Sequence, residues 1–571
     1  MRLPIGYDDF RTIREKNLDF VDKSLFIQEV LDDDITQVSV ITRPRRFGKT
    51  FNLSMLHHFL APEVYGQPTK GLFEGLKIAE LGEPYTQHQG KYPVIFISFK
   101  DIKYDSYEKA YESLSKLVSK VYAQHRLLLT TSKLYEDEKE IFEALLKQQA
   151  SAANLVSSLA DLTGYLFRHY QVKPWLLIDE YDTPIQAAYV HGYYDKMIEL
   201  MRGLLSGVLK SNPNLNKSVI TGILRVAKES LFSGINNIKI FSLLQPEYST
   251  HFGFTEGEVN TLLQQAHLED CVEKIKAWYN GYQMGDTVIY NPWSMVNCIQ
   301  NKGELAPYWV NTSDNQLIKE LLINSDVNFK AEFESLLLGK KTEQFIDEHL
   351  VFGDLTQKGD AVWSLLLMAG YLKVVDQRRT TQGSYCTLDI PNLEVRRLYQ
   401  QIIERWLANG YGMKWYNRFL ESLLSGNIPA FEEELLHLME QTASHHDMGL
   451  EPEAFYHGLM LGITASLYEN NNYEIRSNRE SGYGRYDYMI LSRNLSKPTL
   501  IIELKQWSDK DKTNLASLEE KLEQLAEEAL AQIEEKKYVA EAEQRGMKNI
   551  ITIGLAFSGK KFKLKSKTVT L

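Results

Sequence analysis

The stretch Val38-Ser39-Val40-Ile41-Thr42-Arg43-Pro44-Arg45-Arg46-Phe47-Gly48-Lys49-Thr50 joins an apolar run to a basic turn that contains glycine. The apolar run predicts a buried strand, and residues 51–60 predict the helix that follows the turn. A strand, a loop ending in Gly-Lys-Thr and a helix provide main-chain N–H groups that bind phosphate. This stretch therefore predicts a phosphate-binding loop at one edge of an α/β sheet.

Each part of the loop has an expected role toward ATP. Residues 43–48 would surround the phosphates, Lys49 would reach the β- and γ-phosphates, and the Thr50 hydroxyl would ligate Mg²⁺. The candidate nucleotide-binding residues of the loop are Arg43, Pro44, Arg45, Arg46, Phe47, Gly48, Lys49 and Thr50. One departure is Arg43, because the usual motif has glycine six residues before the lysine. Arginine there restricts the backbone, and its charge is expected close to the phosphates.

A second motif supplies the acidic partners of this loop. The run Trp175-Leu176-Leu177-Ile178-Asp179-Glu180 is an apolar strand that ends in two carboxylates. Asp179 would hold the Mg²⁺ shell, and Glu180 would polarise the attacking water. A third predicted strand, 218–223, leads to Arg225, which is a candidate sensor of the γ-phosphate. The alternative for these residues is a buried strand followed by an ordinary ion pair.

Near the other end of the chain, two apolar runs each deliver charged side chains. They are Gly484-Arg485-Tyr486-Asp487-Tyr488-Met489-Ile490 and Leu500-Ile501-Ile502-Glu503-Leu504-Lys505. Side chains alternate faces along a strand, so Glu503 and Lys505 project together, and Asp487 joins them if the runs pair. Two carboxylates can hold Mg²⁺ or Mn²⁺ to activate water, and a lysine can offset developing charge. The pattern predicts metal-assisted phosphodiester hydrolysis.

Neighbouring residues support this interpretation. Glu480 ends the preceding predicted strand and is a further candidate metal ligand. Apolar residues recur at helical spacing over 518–529, and Gln532 falls on the same face one turn later, with Tyr538 beyond it. Gln532 is therefore a candidate catalytic residue. The alternative is that Gln532 is a surface residue and Lys505 a solvated lysine at a strand end.

Several motifs together resemble the bacterial AAA-ATPase-like family. They are Asp19-Phe20-Val21-Asp22-Lys23, the loop at 43–50, Leu177-Ile178-Asp179-Glu180-Tyr181-Asp182, Thr221-Gly222-Ile223-Leu224-Arg225-Val226-Ala227-Lys228, Trp278-Tyr279-Asn280-Gly281-Tyr282, Tyr290-Asn291-Pro292-Trp293-Ser294 and residues 477–487. In that family a P-loop domain is commonly fused to a C-terminal PD-(D/E)xK nuclease domain, and the loop shares the arginine found here at Arg43. The resemblance implies ATP and a divalent cation as cofactors.

The predicted fold class is α/β with three parts. Residues 1–245 alternate strand and helix and predict a P-loop NTPase parallel sheet with helices on both faces. Residues 246–447 predict a mainly helical lid or connector, with a capping box at Thr255-Glu256-Gly257-Glu258 and a helix over 363–372. Residues 448–571 predict an α/β PD-(D/E)xK nuclease-like domain opening with a helix at 453–468, on which Glu453 and His457 more often form a surface pair than metal ligands. The tryptophans of the middle part are interpreted as core residues.

Composition is compatible with this organisation but does not distinguish it from other arrangements of globular domains. The chain has 571 residues, 24% of them charged, and a formal charge of −11, which argues against coating nucleic acid through its overall field. Alternating lysines at 561–567 form either a local nucleic-acid strip or an edge strand protected by charge. Three scattered cysteines predict neither disulfides nor a zinc site. The absence of a signal peptide or long apolar run predicts a cytoplasmic protein without a membrane segment.

Two functions of different class remain open from the sequence. In the first, the protein is an ATP-gated, metal-dependent nuclease whose partner is nucleic acid, with DNA favoured over RNA. In the second, it is an ATP-dependent switch or scaffold that binds nucleic acid or protein without cutting. Because crowded carboxylates repel one another without a metal, retention of Asp487 and Glu503 favours the nuclease. The sequence also leaves a homo-oligomer open.

Overall fold

A computed structural model shows the chain as two compact units. The described residues are 1–224, 231–232, 235–309, 327–337, 339–348, 359–381, 383–407, 413–441, 467, 473–481, 484–494, 496–507, 515–558 and 561–570. The first unit comprises Met1–Asp314 with Glu343–Val395, and the second comprises Asn315–Thr342 with Arg396–Leu571. The domain boundaries expected after residues 245 and 447 stay predictions, and the expected helix at 453–468 lies outside the described residues except for Leu467.

Strands and helices of the described residues are as follows. The strands are β1 (Val38–Thr42), β2 (Glu63–Val64), β3 (Gln67–Pro68), β4 (Val94–Ser98), β5 (Trp175–Asp179), β6 (Ser218–Gly222), β7 (Ile238–Phe241), β8 (Phe254–Thr255), β9 (Tyr282–Met284), β10 (Thr287–Tyr290), β11 (Thr342–Ile346), β12 (Lys373–Thr380), β13 (Gly383–Asp389), β14 (Tyr473–Ser481), β15 (Gly484–Ser492), β16 (Thr499–Gln506), β17 (Asn549–Ser558) and β18 (Lys561–Thr570). The α-helices are α1 (Phe10–Glu15), α2 (Leu25–Asp32), α3 (Lys49–Leu60), α4 (Lys77–Glu80), α5 (Glu83–Thr86), α6 (Tyr107–Gln124), α7 (Glu136–Leu146), α8 (Ala152–Tyr170), α9 (Thr183–Val190), α10 (Tyr194–Leu209), α11 (Glu256–Gln265), α12 (Val272–Tyr279), α13 (Pro292–Gln300), α14 (Val327–Leu337), α15 (Gly359–Met368), α16 (Leu393–Leu407), α17 (Met413–Leu424), α18 (Ile428–Gln441), α19 (Leu515–Glu535) and α20 (Val539–Gln544).

The first unit is built on a five-stranded sheet in the order β4-β5-β6-β1-β7, with every pair parallel. All five residues of β1, of β5 and of β6 are buried, as expected for parallel strands covered on both faces. The carboxyl ends of parallel strands meet at one edge of the sheet, where ligands bind in such folds. The predicted parallel α/β sheet is confirmed, and its motif residues lie at that edge.

The middle region contains more strand than the sequence indicated. Two three-stranded sheets, in the orders β8-β10-β9 and β11-β13-β12, accompany its helices. The predicted capping box is present, since Thr255 and Glu258 bond reciprocally at the start of α11. The prediction of a helix over 363–372 is wrong about where the helix ends, because α15 ends at Met368. Gly370 follows with φ +87°, a left-handed conformation that ends helices and is open to glycine.

The second unit contains a five-stranded mixed sheet in the order β14-β15-β16-β17-β18. Only β16 and β17 pair in parallel, so the chain must cross over between them, and α19 lies in that crossover. In the interior of β17, Gly554 lets this helix approach the sheet. A Cβ at Gly554 would lie 2.3 Å from the Ala526 carbonyl oxygen of α19, which no side chain could tolerate.

The cysteine side chains and the apolarity of the helices can be stated for the part of the chain that the structure describes. Cys271, Cys298 and Cys386 are all free thiols, and the last two are buried. Among the residues in the ranges given above, no helix combines the length and apolarity that crossing a bilayer demands.

Candidate functional site

The phosphate loop closes around the ammonium of its own lysine. Gly48 adopts φ +85° and serves as the N-cap of α3, which begins at Lys49. Lys49 Nζ donates to the carbonyl oxygens of Arg43, at 3.0 Å, and Pro44, at 2.9 Å. Burial lowers the pKa of Lys49, while Glu180 and other nearby carboxylates oppose that effect. The loop thus holds a desolvated cation at the start of a helix, the position in which a phosphate binds most strongly.

A hydroxyl and a carboxylate meet at the carboxyl edge of the sheet. Thr50 Oγ1 donates to Asp179 Oδ2 at 2.8 Å, and Ser98 Oγ, from the end of β4, donates to the same oxygen at 3.2 Å. The other carboxylate oxygen accepts a 2.8 Å bond from Thr221 Oγ1. Burial raises the pKa of Asp179, and the Thr221 and Thr50 hydroxyls oppose the shift. Oxygen groups so placed are the ligand type that Mg²⁺ prefers, so the residues fit this cation.

Arg43 does not contribute its charge to this edge. Its guanidinium is fully buried and donates to three main-chain carbonyl oxygens, those of Thr42 at 2.8 Å, Phe241 at 3.0 Å and Glu247 at 2.8 Å. Burial lowers the pKa of Arg43 to about 10. The expectation that the Arg43 charge lies near the phosphates is therefore wrong. Its side chain braces the loop, and its carbonyl oxygen is what contacts Lys49.

The next residues of the loop contact other elements of the same unit. Arg45 donates a 3.1 Å bond to Gln186 Oε1 of α9. The Arg46 guanidinium lies over the ring of Trp293 in α13, 4.3 Å from its centre. Phe47 packs edge-to-face on Tyr282 with ring centres 4.9 Å apart. Residues far along the chain therefore position the phosphate loop.

A cavity of about 470 Å³ opens in front of the loop, within the range of small-molecule sites. Its wall includes Arg45, Arg46, Phe47, Gly48, Lys49, Thr50, Glu180, Trp293 and the N-terminal residues Leu3, Tyr7 and Phe20. Glu180, which directly follows β5, enters this wall with a left-handed φ of +50°. Arg225, the candidate sensor, lies outside the described residues. Of the predicted nucleotide residues that the structure describes, Arg45–Thr50 and Glu180 line this cavity, whereas Arg43, Pro44 and Asp179 do not.

The second unit brings Asp487, Glu503 and Lys505 together. Asp487 Oδ2 accepts a 2.7 Å hydrogen bond from the main-chain N–H of Leu504, which lies between Glu503 and Lys505. The ammonium of Lys505 is 3.7 Å from Glu503 Oε1. Adjacent antiparallel strands β15 and β16 thus place the three side chains on one side of the sheet, as their alternation predicts.

Gln532 joins this group from α19. Its Oε1 accepts a 2.5 Å bond from Lys505 Nζ, and its Nε2 donates both to Glu503 Oε1 and, at 3.2 Å, to the buried Tyr538 hydroxyl. The interpretation of Gln532 as a surface residue is wrong. Because a single amide bonds the carboxylate and the ammonium, it fixes the orientation of both.

The electrostatics of the cluster suit a cation. Glu503 is buried, and burial together with the neighbouring Asp487 raises the pKa of its carboxyl to about 7, against the opposing effect of Lys505. Glu503 Oε2 is buried without a hydrogen-bond partner among the described residues. A carboxylate oxygen left in this state is stabilised by a bound divalent cation. The cluster therefore fits a metal, with Asp487 and Glu503 as its candidate ligands.

Glu480 is placed only through its backbone. It pairs with Arg485 across the β14–β15 hairpin, and its side chain lies outside the described residues. Within the described part of the chain, no group of three or more His, Cys, Asp or Glu side chains has the geometry of a metal site. Glu480 as a third metal ligand stays a prediction.

Sequence reasoning missed several residues that shape the two clusters. Ser98 and Thr221 are not among the partners of Asp179 predicted from the sequence, although Ser98 is the last residue of β4 and Thr221 the last but one of β6, the two strands that flank β5. The interpretation of Trp293 as a core residue does not anticipate that it lines the cavity in front of the phosphate loop, which only a long-range contact reveals. Gly554 interrupts an apolar strand, which is a signal of close backbone approach.

The lysine row at 561–567 belongs to β18, an edge strand of the second sheet. Lys565 Nζ lies 2.6 Å from Glu523 Oε1, and Lys567 pairs with Glu534. Both carboxylates come from α19. These two lysines are therefore neutralised by an adjacent helix, which agrees with the charged edge strand rather than the nucleic-acid strip.

Comparisons with known proteins agree with the two clusters. Residues 4–232 match a family model described as predicted AAA-ATPase, and residues 451–567 match the PD-(D/E)XK nuclease superfamily. The chain is also similar to an uncharacterized protein encoded in the vnfD 5′ region of Azotobacter chroococcum mcd 1, with 25% identity over 494 residues that cover 86% of this chain and 87% of that protein. The chain thus carries the fusion that its motifs predicted, a predicted AAA-ATPase region followed by a PD-(D/E)XK nuclease-superfamily region.

Proposed function

We propose that this protein binds and hydrolyses ATP in its first unit and hydrolyses nucleic-acid phosphodiesters in its second, using a divalent cation at each site. The observation that carries the nuclease assignment is the Gln532 amide, which bonds Glu503 and Lys505 together beside Asp487. A carboxylate whose ionisation is opposed by burial and by a second carboxylate is costly to keep without a cation. The arrangement is therefore better suited to metal-assisted chemistry than to binding alone.

In the first unit, the residues of the loop would exchange their internal bonds for bonds to the nucleotide. Lys49 would release the Arg43 and Pro44 carbonyl oxygens and bind the β- and γ-phosphates. Thr50 and Asp179 would hold Mg²⁺, which offsets charge on the phosphate oxygens when bound. Glu180 would orient the attacking water and accept its proton. Water would then attack the γ-phosphorus, and ADP would leave.

In the second unit, ionised Asp487 and Glu503 would hold Mg²⁺ or Mn²⁺, which lowers the pKa of bound water when present. Glu503 must lose its proton to bind the cation, so binding strengthens as the pH rises through about 7. Lys505, oriented by Gln532, would lie beside the attacked phosphate and offset the negative charge that develops there. DNA is the favoured substrate.

The test uses purified full-length protein incubated with plasmid DNA, single-stranded DNA and RNA, with Mg²⁺ or Mn²⁺, and with or without ATP. Cleavage that requires metal and disappears in a Glu503→Ala/Lys505→Ala double variant establishes the nuclease. A change of the cleavage rate with ATP that is lost in Lys49→Ala establishes coupling between the two sites. ATP hydrolysis without any cleavage would overturn the nuclease and leave an ATP-dependent switch.

The three free cysteines fit a reducing compartment, and we therefore propose a cytoplasmic location. Fractionation of cells that express the protein checks this location.

A further inference from the structure

Helix α13 belongs to the middle region, yet its second residue forms part of the nucleotide cavity. Trp293 Nε1 donates a 3.2 Å hydrogen bond to the Tyr308 carbonyl oxygen, and the main-chain N–H of Trp293 donates to Asn291 Oδ1 at 2.9 Å. Both bonds fix the indole at the N-terminal end of the helix. One face of the fixed ring meets the guanidinium of Arg46, 4.3 Å from the ring centre.

Arg46 is held in an unusual conformation at this contact. It adopts φ +67°, a left-handed conformation that residues with a Cβ rarely take, so the surrounding structure must stabilise it. Burial lowers the pKa of Arg46, and the charge of Glu180 opposes the shift. Arg46 is thus a solvent-exposed cation lining the same cavity as Lys49 and Thr50.

Electrostatics favours a phosphate-binding role over simple packing. The other two arginines of the loop are committed elsewhere, since Arg43 bonds three main-chain carbonyl oxygens and Arg45 bonds Gln186. A guanidinium stacked on an aromatic ring keeps its N–H groups free to point outward in its own plane, where they can bond phosphate oxygens. Such a cation contributes most when its orientation is fixed before the ligand arrives.

We propose that Arg46 and Trp293 act as one phosphate-binding pair, in which Trp293 of the middle region orients the Arg46 guanidinium toward the phosphates of the bound nucleotide. The inference rests on the proposed ATP site and extends it, because the site is then incomplete without α13. Arg46 contacts the ligand, and Trp293 is a positioning residue.

The test is a double-mutant cycle on nucleotide affinity in the full-length protein. The variants are Arg46→Ala, Trp293→Leu and the two combined, with ATP, ADP and adenosine as ligands. Each single variant weakens ATP and ADP binding about tenfold, the combined variant weakens it by about the same factor, and adenosine binding changes little. Trp293→Phe retains an aromatic face and restores most of the affinity. In Trp293→Leu, the leucine side chain keeps part of the apolar volume of the indole. Arg46→Ala tests the same contact from the loop side and leaves α13 unaltered.

Controls separate this inference from the proposed function. If ATP binds to the wild-type protein but not to Lys49→Ala, the ATP site exists whether or not Arg46 and Trp293 act as a pair. Unchanged ATP affinity in Trp293→Leu, additive losses in the combined variant, or equal losses for ATP and adenosine would each overturn the pair.

Trp278→Phe is a matched control, since Trp278 packs on the same core as α13 but does not line the cavity. Tryptophan emission that responds to ATP in Trp278→Phe, but not in Trp293→Phe, supports the pair, and a response that survives in Trp293→Phe counts against it.

Discussion

Thr50 Oγ1 and Asp179 Oδ2 lie 2.8 Å apart, so the second residue of α3 is hydrogen-bonded to the last residue of β5. These residues are 129 positions apart in the chain. Their contact places a hydroxyl and a carboxylate where a magnesium ion bound to a nucleotide must sit if the loop holds the phosphates. A cation held by these two groups would therefore be connected directly to the loop.

Replacement of Thr50 by valine should separate nucleotide binding from metal-dependent turnover. Valine has nearly the same shape but cannot ligate the metal, so ATP hydrolysis in Mg²⁺ should fall about 10–100-fold. Nucleotide affinity measured in EDTA should change little. Thr50→Ser, which keeps the hydroxyl, should retain hydrolysis; equal losses in the serine and valine variants would contradict this role.

Replacement of Glu180 by glutamine should preserve ATP affinity and slow hydrolysis by about 10²–10⁴-fold, because the amide cannot accept the proton of water. Affinity is measured by calorimetry and turnover by phosphate release on the same preparation. Unchanged turnover would reduce Glu180 to a structural residue of the cavity wall.

Replacement of Gln532 by leucine should slow metal-dependent cleavage about 10–100-fold, since Lys505 and Glu503 lose the amide that orients them. Single-turnover cleavage and the affinity for Mn²⁺ are the measurements. Gln524→Leu is the matched control, because Gln524 is an exposed residue of the same helix and bonds only its helix neighbours Lys521 and Glu528 in the contacts described. Similar losses in both variants would indicate a general effect on α19.

Glu394 predicts a pH dependence of stability in the middle region. It is fully buried, accepting bonds from Trp309 N–H and Ser294 Oγ at 2.7 Å each, and burial raises its pKa to about 7 from 4.5. The folded state therefore holds a proton that the unfolded state releases, and the free energy of unfolding falls as the pH rises from about 4.5 to 7. Glutamine stays neutral; its oxygen can accept from Trp309 N–H and its amide nitrogen can donate to Ser294 Oγ, so this variant should remove the loss.

The expected gain for Glu394→Gln is about 3 kcal/mol at pH 8, with little difference from wild type at pH 4.5. Denaturant unfolding at both pH values measures it. Glu273→Gln, on the exposed face of α12, should show no such dependence. A gain of equal size at both pH values would point to packing rather than to ionisation.

Local patterns predicted the parallel sheet, the capping box of α11 and the clustering of Lys49, Thr50, Asp179 and Glu180. Each depends on strand ends and spacing, which neighbouring residues determine. Sequence could not show where the Arg43 side chain goes, because its partners Phe241 and Glu247 are about 200 positions away. The contact between Arg46 and Trp293 was missed for the same reason. Packing of distant elements, rather than local propensity, determines where the side chains of Arg43 and Arg46 lie.

The single parallel pair in the second sheet has an evolutionary consequence. Since β16 and β17 can be joined only through a crossover, the helix that carries Gln532 lies in a connection that the sheet requires. One inserted or deleted residue in α19 ahead of Gln532 would turn the amide by about 100° away from Glu503, and it would turn the buried Ile533 out of the core by the same angle. The length of α19 before this glutamine is therefore constrained twice, by the proposed site and by the core, so relatives should differ in this helix by substitution more readily than by insertion or deletion.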